Sequence, residues 1–202
     1  MTELQAVNLG KRFHKHWVIR NLDLTLTKGE QLLVTGSNGS GKSTLMKLIA
    51  GQMEPTEGLL SFKTNGKEVD PEWWYEQVSW MGPYHELYDD LTLEECISLH
   101  FQFKKPLIPP AEIPVVLGLD KQIHKPLRHF SSGMLHRAKV GLAVFSRSEL
   151  LLLDEATTNM DQENSNKILQ LTLQHQDGRI LVYASNNPSE FSVFPRRIDL
   201  GQ

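Results

Sequence analysis

Two stretches of this sequence carry residue types that chemistry can use. The first, GSNGSGKST at residues 36–44, fits G-x-x-x-x-G-K-[ST], with Gly36 and Gly41 as the outer glycines and Lys42 and Ser43 behind them. Glycines let the backbone turn tightly, so that the N–H groups of Ser37, Asn38, Gly39 and Ser40 can approach an anion at a helix N-terminus. Lys42 adds a formal charge that reaches outer phosphates, the Ser43 hydroxyl suits a Mg²⁺ that keeps most of its waters, and Thr44 can donate to an inner phosphate. The second stretch is ELLLLDEATTNMD, an apolar run that ends in the adjacent carboxylates Asp154 and Glu155. Adjacent acids at the carboxyl end of a parallel strand are costly unless a cation or a reaction uses them. The glycine-rich string alone can also serve as a turn that merely caps a helix. Its context favours nucleotide binding, because an apolar run at 31–35 precedes it and an amphipathic run at 45–50 follows.

The elements that must position these groups can be read along the chain. Residues 3–9 and 17–26 have the alternation of half-buried strands and are expected to pair antiparallel, with KRFHKHW between them as a solvated turn. Within that turn, Phe13 can either stack on a purine base or simply pack. A helix is expected over 42–50 with Gly51 as its stop, then short strands at 59–62 and 78–81 separated by polar sequence. Trp73, Trp74 and Tyr75 are a partner-binding patch or a packed cluster. Thr92 and Glu95 form a capping box for a helix to about 103, and KKPLIPP interrupts it. A further short helix over 111–117 is weakly signalled because Pro114 sits inside it. HFSSGMLHRAKVGLAVF places serines where an N-cap belongs and repeats apolar residues at helical spacing. A buried strand at 150–154, a helix begun by Asp161, a strand at 179–184 and a last short strand at 197–200 complete the chain.

Composition narrows the function. The chain has 202 residues, enough for one domain with a small subdomain, and a net charge of −3 that argues against nucleic acid as the main partner. No apolar run is long enough to span a bilayer, and MTELQ is no signal peptide, so any membrane role is expected to come through another chain. The single cysteine, Cys96, excludes an internal disulfide and reads best as a small buried apolar residue. The eight histidines never fall at metal-ligand spacing, and no zinc site is expected.

A phosphate loop, a helical insertion, and then a serine-glycine signature immediately upstream of an acidic strand resemble the nucleotide-binding subunit of ABC transporters over nearly the whole chain. The resemblance implies an α/β fold: a phosphate-loop NTPase core of RecA-like type, an N-terminal antiparallel β subdomain and a small helical insertion. In these terms residues 1–83 and 131–202 are the core with its β subdomain, and 84–130 the helical part. It implies ATP and Mg²⁺ as cofactors, with Phe13 on the adenine, residues 36–44 on the phosphates, and Ser43 and Asp154 at the metal. Glu155 matches the base that polarises the attacking water. The family signature L-S-G-G-Q appears as Phe130, Ser131, Ser132, Gly133 and Met134, with Ser131 directed at ATP held by a second subunit. Asn159, Met160 and Asp161 match the segment that crosses between subunits.

Departures from the family pattern stand beside these matches. The glutamine expected after the strand at 78–81 falls near Pro83, with Glu86 either a substitute or an ordinary exposed glutamate. The histidine that touches the γ-phosphate is replaced by Asn186, which can donate a hydrogen bond but carries no charge. Ser132 and Met134 alter the signature. The implied function is an ATPase subunit, a homodimer around ATP, peripheral to the cytoplasmic face of the membrane through a membrane-spanning permease that Tyr84, Leu87 and Tyr88 would meet. A nucleotide-binding switch with little turnover, or a soluble machine for DNA repair, translation or cofactor assembly, are the alternatives.

Overall fold

The computed structural model describes residues 1–83, 85–158 and 160–201. It begins with a long antiparallel pair, β1 (Glu3–Phe13) and β2 (His16–Thr27), in register Leu4↔Leu26 to Phe13↔His16. Leu4 and Ala6 of β1 and Leu24 and Leu26 of β2 are buried in strict alternation, and the register shifts beyond them change the phase so that Leu9 and Ile19 are buried as well. The pairing runs farther than the sequence indicates. Irregularities at Ala6/Leu9, Leu9/Lys11 and Lys11/Arg12 let the strands continue through the basic stretch, and the turn shrinks to His14 and Lys15.

β3 (Gln31–Thr35) then leads into α1 (Lys42–Ile49), followed by β4 (Glu57–Thr64) and the two-residue β5 (Lys67–Glu68). β4 pairs antiparallel with both β1 and β5, giving a four-stranded sheet in the order β2-β1-β4-β5. β5 lies inside the polar stretch read as a separator, because the turn at Asn65 and Gly66 folds it back onto β4. The single-turn α2 (Trp74–Gln77) precedes β6 (Val78–Met81). Of the aromatic trio, only Trp74 packs into the core: it is buried, meets Phe62 edge-on with ring centres 5.8 Å apart, and donates its indole N–H to Val69 O at 2.9 Å. Trp73 and Tyr75 remain exposed.

α3 (Leu93–Phe103) starts at the expected capping box: Glu95 N donates to Thr92 Oγ1 at 3.2 Å, and Thr92 N to Glu95 Oε2 at 2.8 Å. α4 (Ile113–Val116) is a single turn reached through the 3-10 turn Pro110–Glu112. Pro114 sits in its first turn, where the missing N–H costs nothing. α5 (Ser132–Val144), β7 (Leu150–Asp154), α6 (Gln162–Gln174), β8 (Ile180–Ala184) and β9 (Arg197–Asp199) follow.

The second sheet is parallel, in the order β6-β7-β8-β3-β9. Because side chains alternate along each strand, its two faces feed different cores. Leu32, Val34, Leu150, Leu152, Ile180 and Val182 pack against α1 and the antiparallel sheet. Leu33, Leu151, Leu153, Leu181 and Tyr183 pack against α3, α4, α5 and α6. Leu93, Ile97, Ile113 and Leu127 of the helical stretch thus share one core with the parallel strands. Cys96 is buried there too, and burial pushes its thiol up to about 11.

Candidate functional site

In a parallel sheet all carboxyl ends lie on one edge, and this edge collects the chemistry. The phosphate loop follows β3, Glu155 follows β7, and Asn186 follows β8 two residues past its end. Between the phosphate loop and Glu155 is a cleft of about 430 Å³. Asn38, Gly39, Gly41, Lys42, Ser43 and Thr44 line one side, with Glu155, Pro83 and Val18 completing it.

The loop is held by its own backbone and by the lysine. Ser40 N donates to Ser37 O at 3.1 Å, while the Ser40 hydroxyl is buried with no hydrogen-bond partner. Lys42 is buried and folds back over the loop, donating to Gly36 O at 2.8 Å and Ser37 O at 3.1 Å. Gly41 caps α1 at φ +105°, and a Cβ there would stand 2.6 Å from Val18 Cγ1 and 3.2 Å from Val18 O. Both conformation and space therefore require glycine at this position. That contact brings Val18 of β2 to the cleft, a residue no local signal in the sequence singles out.

Asp154 is completely buried, and neither carboxylate oxygen has a hydrogen-bond partner. Burial is the main cause that raises its pKa above the ordinary value of 3.8. The Ser43 hydroxyl offsets part of this without closing a hydrogen bond of normal geometry, the neighbouring Glu155 charge adds to the rise, and Lys42 and Lys47 oppose it. Glu155 is only partly buried and adopts φ +56°, a left-handed conformation that costs a residue with a Cβ about 1–3 kcal/mol. It is held there by Glu155 N donating to Ala184 O at 2.9 Å, by Thr158 N donating to Glu155 O at 3.1 Å, and by the Thr158 hydroxyl donating to Glu155 Oε2 at 3.3 Å. Among the described residues no three His, Cys, Asp or Glu side chains converge on a metal position.

Other residues singled out from the sequence fall outside this cleft. Phe13, exposed near the tip of the β1–β2 hairpin, does not line it; the Lys11 ammonium lies 5.5 Å from its ring centre. Ser131 is the N-cap of α5, accepting from Met134 N at 3.3 Å, and with Ser132 it is exposed. A Cβ on Gly133 would meet nothing within 4 Å. No residue of 131–133 lines the chain's own cleft. Asn186 donates from Nδ2 to Asn38 Oδ1 at 3.2 Å, which joins it to the phosphate loop. Glu86 lines a separate groove with His85, Leu87 and Lys104. Asp161 caps α6 through Asn164 N at 2.8 Å, and Met160 packs against the core. Leu87 is partly buried and Tyr88 exposed; Tyr84 and Asn159 lie outside the described residues.

Known proteins share this architecture. A family model described as "ABC transporter" matches residues 19–158. The linearmycin resistance ATP-binding protein LnrL of Bacillus subtilis is 28% identical over 208 residues, covering 98% of this chain and 65% of that protein. The lipoprotein-releasing system ATP-binding protein LolD 1 of Caulobacter vibrioides is 26% identical over 216 residues, covering 98% of this chain and 92% of that protein. Among solved structures, a dimeric ATP-binding cassette in a post-hydrolysis state bound to ADP and Pi superposes with a TM-score of 0.82, at 20% identity, over 98% of this chain and 94% of that one. The family match runs from the strand that braces the phosphate loop to the turn behind the acidic pair, and so spans both sides of the cleft: the chain belongs to the ABC transporter family, as one of its nucleotide-binding domains.

Proposed function

We propose that this chain binds ATP with Mg²⁺, hydrolyses it within a dimer that closes around the nucleotide, and so drives a membrane-spanning partner. The observation that carries the reading is the buried Asp154 carboxylate, left without a hydrogen-bond partner beside the Ser43 hydroxyl at the edge that also carries Lys42 and Glu155. A buried acid whose desolvation its neighbours offset only in part is expensive, and a cation at this position would offset that cost. Ser43 and Asp154 fit Mg²⁺, a hard ion that takes oxygen ligands and shares its shell with phosphate and water. When bound, it would neutralise charge on the phosphate oxygens.

The chain's own groups supply the rest. The N–H groups of residues 37–41 and the start of α1 receive the phosphate chain, and Thr44 donates to its inner part. Lys42, already inside the loop, exchanges carbonyl partners for outer phosphate oxygens. Glu155 projects into the cleft from a constrained turn, where it can orient and polarise a water. Ser131, Ser132 and Gly133 are exposed or partly so and stand away from this cleft, which leaves them free to meet ATP held by a second chain. The dimeric solved neighbour supports this arrangement. Among the described residues no helix is long and apolar enough to cross a membrane. The surface near Leu87 and Tyr88 is the docking region for the membrane-spanning partner in this reading.

Pro83 in the cleft and the uncharged Asn186 favour a second reading, a nucleotide switch with slow turnover. Purified protein supplied with Mg²⁺ and ATP, with and without its membrane partner, separates the two. The ATPase reading requires phosphate release that Glu155→Gln abolishes while an ATP-bound dimer accumulates. Absence of release under both conditions overturns it.

A further inference from the structure

Glu190 is a buried acid with no assigned task. It is 2% exposed, and no ion pair involves it among the described residues. Its Oε1 accepts from the Thr157 hydroxyl at 2.5 Å and from the Tyr183 hydroxyl at 3.5 Å; its Oε2 has no hydrogen-bond partner. Burial first, and then the Glu190 charge, push the Tyr183 phenol above its ordinary range. A carboxyl kept in such surroundings is costly to retain for packing alone.

The positions of its partners say what it joins. Thr157 lies two residues past Glu155, in the turn closed by Thr158 N to Glu155 O and Met160 N to Thr157 O, at 3.1 and 3.2 Å. Glu190 ends the 3-10 turn Pro188–Glu190, which Asn187 caps by accepting from Ser189 N at 3.1 Å. Asn186, immediately before, holds Asn38 of the phosphate loop. One buried hydrogen bond thus links the segment that aims Glu155 to the segment that carries Asn186. The two are also joined at the strand ends, where Glu155 N donates to Ala184 O, and on the exposed side, where Gln162 Nε2 at the start of α6 donates to Ser189 Oγ at 3.3 Å; the Thr157–Glu190 bond is the buried side-chain link between them.

We infer that Glu190 is a positioning residue which, through Thr157, makes the Glu155 turn and the Asn186 segment move as one unit. This rests on the ATPase reading above for its effect on turnover, but the mechanical coupling exists whether or not the chain turns over ATP. Displacement of Asn186 by a nucleotide then shifts Glu155 as well, so that the water-polarising group is set only when the phosphate side is in place.

The experiment combines amide hydrogen exchange with steady-state ATP hydrolysis on Thr157→Val, Thr157→Ser and Glu190→Gln. Thr157→Val removes the donating hydroxyl at nearly constant volume; Thr157→Ala carries the same test if valine is not accommodated. Exchange is expected to quicken about tenfold in both 155–158 and 186–190, with β7 and β8 unchanged. The kcat for ATP is expected to fall about tenfold at unchanged KM. Thr157→Ser, which keeps the hydroxyl, restores both, and Glu190→Gln, whose amide oxygen still accepts, retains the coupling. Quickening confined to one segment, quickening spread over the whole chain, or an unaltered kcat in an active parent overturns the inference. A parent that releases no phosphate sinks the ATPase reading alone, because exchange still decides the coupling.

Discussion

Asn186 donates from its amide to the side-chain oxygen of Asn38 at 3.2 Å, so the loop after β8 grips the phosphate loop after β3. Asn186 is exposed, and its replacement leaves the core untouched. Asn186→Ala is expected to lower kcat for ATP hydrolysis about tenfold through the lost donor. Asn186→His, which can donate and also carry charge, is expected to raise kcat above the parent. Phosphate release measured on both variants at saturating ATP checks the pair; equal rates in all three proteins would remove Asn186 from the site.

Ser131 occupies an exposed N-cap outside its own chain's cleft. Ser131→Arg in a Glu155→Gln background is expected to abolish ATP-induced dimers in sedimentation while leaving the Kd for ATP within about twofold. The lost cap costs about 1 kcal/mol, and the chain stays folded. Dimers that survive the arginine would mean that the signature is not at the interface.

Gly51 follows α1 at φ +72°, and a Cβ there would stand 2.8 Å from the Trp74 ring. Gly51→Ala is therefore strained in its backbone and pressed against a buried indole, and is expected to cost about 1–3 kcal/mol. Trp74→Ala empties the same place and is expected to cost about 3–5 kcal/mol. Urea unfolding of the double variant should show less than the sum, since removing the indole relieves the clash.

His85, His100 and His136 all have pKa values below the ordinary 6.5, in each case chiefly because burial penalises the charged ring. Their neutral forms contribute stability that is present above the unfolded value and is lost as pH falls below it, because the unfolded chain binds those protons more readily. The Tm is expected to be flat from about pH 8 to 7 and to decline below about 6.5. His100→Gln, at the ring that meets Ser146 Oγ at 2.8 Å, should make that decline shallower.

Whatever neighbours along the chain encode is legible in the sequence. The Thr92–Glu95 capping box, the serine cap of α5, the four leucines of β7 and the phosphate loop each place their signal within a few residues of their effect. The hairpin to Phe13↔His16 is less legible, because bulges carry pairing through a basic stretch that looks like a turn. Val18 at the cleft and Glu190 on Thr157 are not legible at all. The first depends on Gly41 packing against a strand more than twenty residues earlier, and the second bridges a separation of 33 residues. Neither leaves a periodicity. A lone valine in a strand and a lone glutamate in a polar turn resemble ordinary residues until the sheet brings them in.

β3, which leads into the phosphate loop, and β7, which leads into Asp154 and Glu155, are not neighbours: β8 lies between them. Strands sit about 4.8 Å apart, so the two halves of the cleft are separated along the sheet edge by about 10 Å. One interposed strand thus works as a spacer bar. It opens room at the edge for a chain of phosphates and a cation between the loop and the acids, and the backbone ladders of β8 with β3 and β7 set that room.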